Sequence, residues 1–330
     1  MPYLAFRIPF MKLLGAFFRL IRYPNLLFIA ITQFLFFYSI IVPSAYPDGV
    51  PFLNDGALFL LLVFSSISIA AGGYVINDYF DLDIDLVNKP DRLVIDKSIR
   101  RRWAIIWHWF FSTGGVVAGF FISFLTRNWV IGFANLACVM MLWLYSTTFK
   151  KKLLTGNVII SLLTAWVVMV VFFFIYRRFF IPLPGWAEIV NHDPHTLRRL
   201  MRLAFLYAGF AFIISLIREV VKDIEDREGD ERYGCRTMPI AWGIPAAKVF
   251  AAVWLVVLIA ILVIVQFYVL QMGWWASALY CILLIIAPLA IILRRLYTAT
   301  TVADFHRLSS MIKLVMFTGI LSMIFFKIYS

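Results

Sequence analysis

Charge is scarce in this 330-residue chain: Asp, Glu, Lys and Arg make up 15% of it, against 63% hydrophobic residues. A soluble protein of this length needs far more polar surface, so the shortage excludes a water-soluble fold. Cysteine is scarce too. Cys138, Cys235 and Cys281 form no spaced motif, and Cys138 and Cys281 lie inside apolar runs, which argues against a disulfide framework and a cysteine metal site. The four histidines stand singly apart from His192 and His195, without the paired spacing that zinc needs. Acids are outnumbered by bases, 18 to 30, for a net charge of +12. No nucleic-acid-binding module accompanies that excess; in a membrane protein it first reports orientation and contact with anionic headgroups. The amino terminus lacks the short apolar core and small-residue cleavage site of a secretory signal, and residues 1–24 are expected to form an interfacial amphipathic segment.

What is abundant is apolar sequence. Mean hydropathy is +0.91, and runs of about 20 apolar residues, the length of a bilayer core, recur along the chain. They predict spans near 25–46, 57–77, 103–125, 128–148, 157–176, 200–220, 245–267, 274–293 and 308–328. The expectation is an all-α polytopic membrane protein, one domain over 1–330, with about nine transmembrane helices around a central cavity. Loop Lys and Arg residues sort by side. The amino terminus (Arg7 to Arg22) and the even loops (Lys89 to Arg102, Lys150 to Lys152, Arg218 to Arg236, and Arg294, Arg295 and Arg307) are rich in them. The odd loops have few, apart from Arg127 in the third and Arg177, Arg178, Arg198, Arg199 and Arg202 in the fifth. That bias puts the even loops in the cytoplasm, for a protein of the cell (inner) membrane.

The same sorting gathers the acids on one face. "NDYFDLDID" (77–85) falls in the second loop and "KDIEDREGD" (222–230) in the sixth. They resemble each other, which hints at an internal duplication. On a helix, residues four apart share a side, so Asn77, Asp81 and Asp85 form one polar stripe and Asp226 and Asp230 another. Like charges so placed repel unless a cation sits between them. Hard oxygen ligands facing each other across a cavity suit Mg²⁺, which keeps waters and shares its other positions with substrate phosphate. Two such stripes at the mouth of an apolar bundle imply a ligand with a diphosphate head and a long apolar tail, a polyprenyl diphosphate. Arg218 and Lys222 extend the second stripe at i, i+4 spacing, and "YSTTFKKK" (145–152) brings Tyr145, Lys150 and Lys151 to the same face, where cations stabilise departing negative charge. The 33 Phe, 11 Trp and 14 Tyr residues offer ring faces that could shield a carbocation. Gly72 and Gly73 read as close-packing positions.

These residues resemble the UbiA superfamily of intramembrane prenyltransferases. Asn77, Asp78, Asp81 and Asp85 match its N-D-x-x-D-x-x-x-D motif, and Asp226 and Asp230, preceded by Asp223, match its second, D-x-x-x-D. "RYPN" (22–25) is similar to the element that lines the active site through Arg22 and Asn25, "NKPDR" (88–92) to the loop after the first motif, and "YSTTFKKKLLTGN" (145–157) to the segment whose Lys contacts diphosphate. "REVVKDIEDREGD" (218–230) looks most like the branch making digeranylgeranylglyceryl phosphate, an ether-lipid precursor. The chain departs from that branch after "NKPDR", where it reads "LVIDKSIRRR".

The resemblance implies Mg²⁺-dependent transfer of a prenyl group from a polyprenyl diphosphate to a lipophilic acceptor such as geranylgeranylglyceryl phosphate. Asn77, Asp81, Asp85, Asp226 and Asp230 would hold metal, with Lys150, Arg218 and Lys222 catalytic. Arg22, Asn25, Asp78, Asp223, Tyr145 and Lys151 would contact substrate. The alternatives are an aromatic acceptor (a quinone or porphyrin precursor), a cation transporter built on intramembrane carboxylates, and a non-catalytic lipid-binding protein.

Overall fold

The computed structural model describes residues 10–46, 53–88, 93–180 and 194–329. Arg7, Lys89, Arg92 and His192 lie outside the described residues, as do residues 1–9 of the expected amphipathic segment. Among the described residues, nine helices are long and apolar enough to cross a bilayer: Tyr23–Ala45, Asn54–Phe80, Arg101–Thr126, Trp129–Thr147, Thr155–Phe179, Pro194–Glu225, Gly243–Gln271, Trp275–Thr298 and Val302–Tyr329. The nine-span expectation is borne out, and the chain is a multi-pass integral membrane protein. The sixth span starts earlier than expected, which puts Arg198, Arg199 and Arg202 on the helix rather than in a loop. Its sequence explains this, because Pro194 is pre-organised for a first turn and the Leu and Arg residues that follow are good helix formers.

Small residues let the spans approach one another. A Cβ on Gly72 would lie 2.6 Å from Ser112 Oγ, and one on Gly73 would lie 2.8 Å from the Leu142 side chain; the second span therefore packs closely against the third and fourth, the membrane mode of helix association. A helix precedes the first span, Phe10–Leu20. Its Ala16 and Leu20 are buried against Ala71, Val75 and Ala104, while Met11 and Phe18 are exposed.

At the end of the bundle away from the acidic segments, a charge is buried. Arg178 Nη2 donates to Asp55 Oδ2 at 3.2 Å, and the Tyr46 hydroxyl donates to the same oxygen at 3.0 Å. The side chains of Arg178 and Asp55 are only 6% and 2% exposed. Arg178 is thus no solvated loop charge but a tie between the first, second and fifth spans. Breaking such a pair leaves one charge buried and alone, so Asp55→Ala is expected to cost about 3–5 kcal/mol of stability. In a detergent melt, Asp55→Ala together with Arg178→Met should recover much of that loss, because the double variant strands no charge.

Candidate active site

Both acidic segments break their helices at the same relative place. The second span ends at Phe80 and a short helix, Leu82–Asn88, follows; the sixth ends at Glu225 and Arg227–Arg232 follows. The hydrogen-bond ladder nevertheless runs through each break. Asp81 N–H donates to Asn77 O at 3.0 Å and Asp85 N–H to Asp81 O at 2.8 Å; Asp226 N–H donates to Lys222 O at 2.8 Å and Asp230 N–H to Asp226 O at 3.2 Å. Register is therefore kept, and Asn77, Asp81 and Asp85 stay on one side, as do Lys222, Asp226 and Asp230.

The two segments meet through Asn88. Its Nδ2 donates to Asp226 O at 2.9 Å, and its Oδ1 accepts from Gly229 N–H at 2.9 Å, across 138 and 141 residues of sequence. One amide side chain so bridges the two acid-bearing turns. Gly229 permits the approach: a Cβ there would sit 2.5 Å from Asn88 Oδ1.

A cavity of about 650 Å³ opens between the segments, within the size range of small-molecule sites. Its polar part is lined by Arg22, Asn25, Asn77, Asp78, Asp81, Asp85, Tyr145, Lys150, Arg218, Lys222, Asp223, Asp226 and Asp230, so all but one of the residues singled out from sequence converge on it. Lys151 does not. Its side chain is exposed and outside the cavity wall, while its carbonyl accepts from Arg236 N–H at 2.8 Å. The wall continues into Phe28, Ile29, Ile69, Ala70, Leu142, Ile160, Leu163 and Met316, an apolar extension of a polar mouth. Of the many aromatic residues, only Phe28, Tyr74, Tyr145 and Trp166 border it among the described residues. In the divergent loop, Asp96 takes a left-handed backbone (φ 64) and closes a tight turn, Asp96 N–H to Ile99 O at 2.9 Å. That turn sets buried Val94 into the cavity wall.

Electrostatically, the cavity is a mesh of opposed charges. Lys150 Nζ is ion-paired with Asp81 Oδ2, the same oxygen that accepts from Asn77 Nδ2 at 2.6 Å. Lys150 is the cation that the first acidic stripe needs. Burial works against its ammonium, but Asp81, Tyr145 and Asp85 together outweigh that and hold Lys150 well above the usual lysine range. Arg22 lies at the corner between the preceding helix and the first span, also in the left-handed region (φ 51). A non-glycine residue adopts that geometry only when its surroundings fix it. Here Arg22 Nη2 donates to Asp78 Oδ1 at 2.5 Å, and the guanidinium carbon lies 5.2 Å from the centre of the Tyr74 ring.

Several cavity residues escaped the sequence reading besides Asn88 and Tyr74. Glu219 pairs with Arg218 at 3.0 Å and with Lys222 at 3.9 Å, Asn157 Nδ2 donates to Asp223 Oδ2 at 2.8 Å, and Lys313 Nζ donates to Asn25 Oδ1 at 3.0 Å. Thr237 also lines the wall, and its buried Oγ1 has no hydrogen-bond partner among the described residues.

The donor set fits Mg²⁺. Among the described residues no three His, Cys, Asp or Glu side chains form a ready-made cage, and Asn77 Oδ1 is buried beside Asp81 with no hydrogen-bond partner. An all-oxygen site that leaves positions for water and substrate oxygens is what a small hard cation prefers.

The chain is 30% identical over 254 residues to digeranylgeranylglyceryl phosphate synthase of Methanopyrus kandleri, covering 77% of this chain and 82% of that protein. To the synthase of Methanosphaera stadtmanae it is 27% identical over 258 residues, with the same coverage. A solved digeranylgeranylglyceryl phosphate synthase shares the fold at TM-score 0.57 and 23% identity, over 95% of this chain and 99% of that one. So does a UbiA homologue from Archaeoglobus fulgidus bound to GPP and Mg²⁺, at TM-score 0.53 and 17% identity, over 93% and 99%. Residues 44–318 match the UbiA prenyltransferase family, and the chain belongs to that family of membrane enzymes.

Proposed function

We propose that this chain works as one domain that transfers a prenyl group from a polyprenyl diphosphate to the free hydroxyl of geranylgeranylglyceryl phosphate, with Mg²⁺ required. What supports the reading most is the convergence of two acidic segments, tied together by Asn88, on a single cavity whose wall turns apolar with depth. The acceptor follows from the relatives, which are named digeranylgeranylglyceryl phosphate synthases.

In this reading Asn77, Asp81 and Asp85 on one side, and Asp226 and Asp230 on the other, are the oxygen ligands. Bound Mg²⁺ would supply charge neutralisation of the diphosphate, which weakens the C–O bond to the prenyl carbon. Lys150 and Lys222 hold positive charge where the diphosphate departs. Arg22, through Asp78, keeps the first acidic turn oriented, and Asn157 does the same for Asp223. The apolar wall holds the tail and excludes water, while Tyr145 and Phe28 present ring faces beside the allylic cation. The acceptor oxygen forms the new C–O bond to the prenyl carbon, diphosphate leaves with the bonding pair, and the hydroxyl proton is released.

The basic even loops favour a cavity mouth on the cytoplasmic side of the cell membrane. The exposed apolar residues of Phe10–Leu20 favour seating that helix in the lipid interface. Purified protein in lipid nanodiscs, given geranylgeranyl diphosphate and geranylgeranylglyceryl phosphate, is expected to release diphosphate and form the diether product only with Mg²⁺ present. Turnover that persists in excess chelator, or none with any prenyl diphosphate, contradicts the reading.

A further inference from the structure

Several cations of the cavity have a carboxylate at hand. Arg22 pairs with Asp78, Lys150 with Asp81, and Arg218 and Lys222 with Glu219. Lys313 pairs with no carboxylate among the described residues. Its Nζ donates to a neutral amide, Asn25 Oδ1, at 3.0 Å and sits 5.2 Å from the centre of the Phe28 ring. An ammonium set into an apolar span with no anion to match it is costly, and such residues mark functional sites. Arg218 is a second cation whose charge acts on it. Arg218 spends Nη1 on Glu219, and its Nε is buried without a hydrogen-bond partner among the described residues. Both residues line the same cavity. Two cations on the wall of one cavity, each with N–H donors unspent, repel each other until an anion joins them, and a phosphate monoester accepts from several donors at once.

We propose that Lys313, together with Arg218 on the same cavity wall, binds the phosphate of the acceptor lipid and so selects a phosphorylated glycerol ether over an uncharged or aromatic acceptor. The inference rests on the prenyl-transfer reading and deepens it. The cavity then holds two anionic heads in different ways. The donor diphosphate is met by Lys150, beside the acids that would hold metal. The acceptor phosphate is met by direct donors from the sixth and ninth spans, with Asn25 of the first span steadying Lys313. Fixing both heads brings the acceptor hydroxyl to the prenyl carbon, since orientation of two reactants is itself a large part of such catalysis.

The test is a cycle between a side chain and a ligand group. Wild type, Lys313→Met and Lys313→Arg are assayed in nanodiscs with geranylgeranylglyceryl phosphate and with geranylgeranylglycerol, its phosphate-free counterpart. Lys313→Met is expected to raise KM for the phosphorylated acceptor about tenfold to a hundredfold, the loss of one charged hydrogen bond. KM for the prenyl diphosphate should move by less than about twofold. The preference of wild type for the phosphorylated acceptor should collapse in Lys313→Met and largely return in Lys313→Arg, a non-additivity that a merely structural role would not give. Equal losses with both acceptors, an equal rise in the donor KM, no change at all, or wild-type turnover of aromatic acceptors alone would each overturn this inference and leave prenyl transfer standing. Absence of diphosphate release by wild type with every acceptor would instead overturn the prenyl-transfer reading itself.

Discussion

Asp81→Ala is expected to lower kcat for prenyl transfer about a hundredfold to a thousandfold, the usual effect of losing one charge-stabilising group at a reacting centre. Asp81 stands at the helix break of the first acidic segment and is 3% exposed, with Asn77 and Lys150 both directed at Oδ2. Removing the carboxylate therefore does two things: it takes away a proposed oxygen ligand, and it leaves the Lys150 ammonium without its partner. Asp81→Asn separates them, because the amide keeps the shape and can still accept from Lys150 while lacking the negative charge. It should melt close to wild type, lose most of its turnover, and recover part of it as Mg²⁺ is raised. Asp226→Ala should show a loss of similar size. Diphosphate release measured at several Mg²⁺ concentrations checks all three; full activity in either alanine variant contradicts the account.

Gly229→Ala is expected to raise KM for the prenyl diphosphate about tenfold or more, although Gly229 carries no side chain to touch substrate. A methyl group there would meet Asn88 Oδ1, Cγ and Nδ2 at 2.5–2.6 Å, so Asn88 must swing away and lose its bonds to both Gly229 N–H and Asp226 O. Each such bond contributes about 0.5–1.5 kcal/mol. Their larger service is to hold the two acidic turns at one separation, and small misplacements of such groups cost rate steeply. Asn88→Ala should give the same loss without any clash. Steady-state kinetics on the two variants, with melting curves to show that the bundle persists, decide the matter. A Gly229→Ala enzyme with wild-type KM would mean that the turns do not depend on Asn88.

Much of this was legible in the amino-acid sequence, and the reason is physical. Nine apolar runs of bilayer length have few other uses, so span number and approximate ends follow from hydropathy alone. The i, i+4 spacing of Asn77, Asp81 and Asp85 survives the break at Asp81 because the Asp81 and Asp85 amides keep their helical partners. Hidden were contacts between residues far apart in sequence. Asn88 was inside a quoted motif but read as loop; nothing local reveals that it reaches Asp226. Asn157 and Lys313 did carry a signal, as an amide and a charge with apolar neighbours in "NVII" and "MIKLVMF", where burial is expensive without a partner or a task. Glu219 could have been found from its i, i+3 relation to Lys222. Arg178 was misread because charge counting cannot tell a solvated loop arginine from one that turns inward to a buried Asp55.

Cryo-electron microscopy of the protein with Mn²⁺ in place of Mg²⁺ and an unreactive prenyl thiodiphosphate tests the central claim most directly. The account predicts ion density within about 2.0–2.6 Å of carboxylate oxygens, from Asp81 or Asp85 on one side and Asp226 or Asp230 on the other, with the diphosphate between them and the tail along Ile69, Leu142 and Ile160. Diphosphate held by one acidic segment alone, or bound outside this cavity, would contradict it.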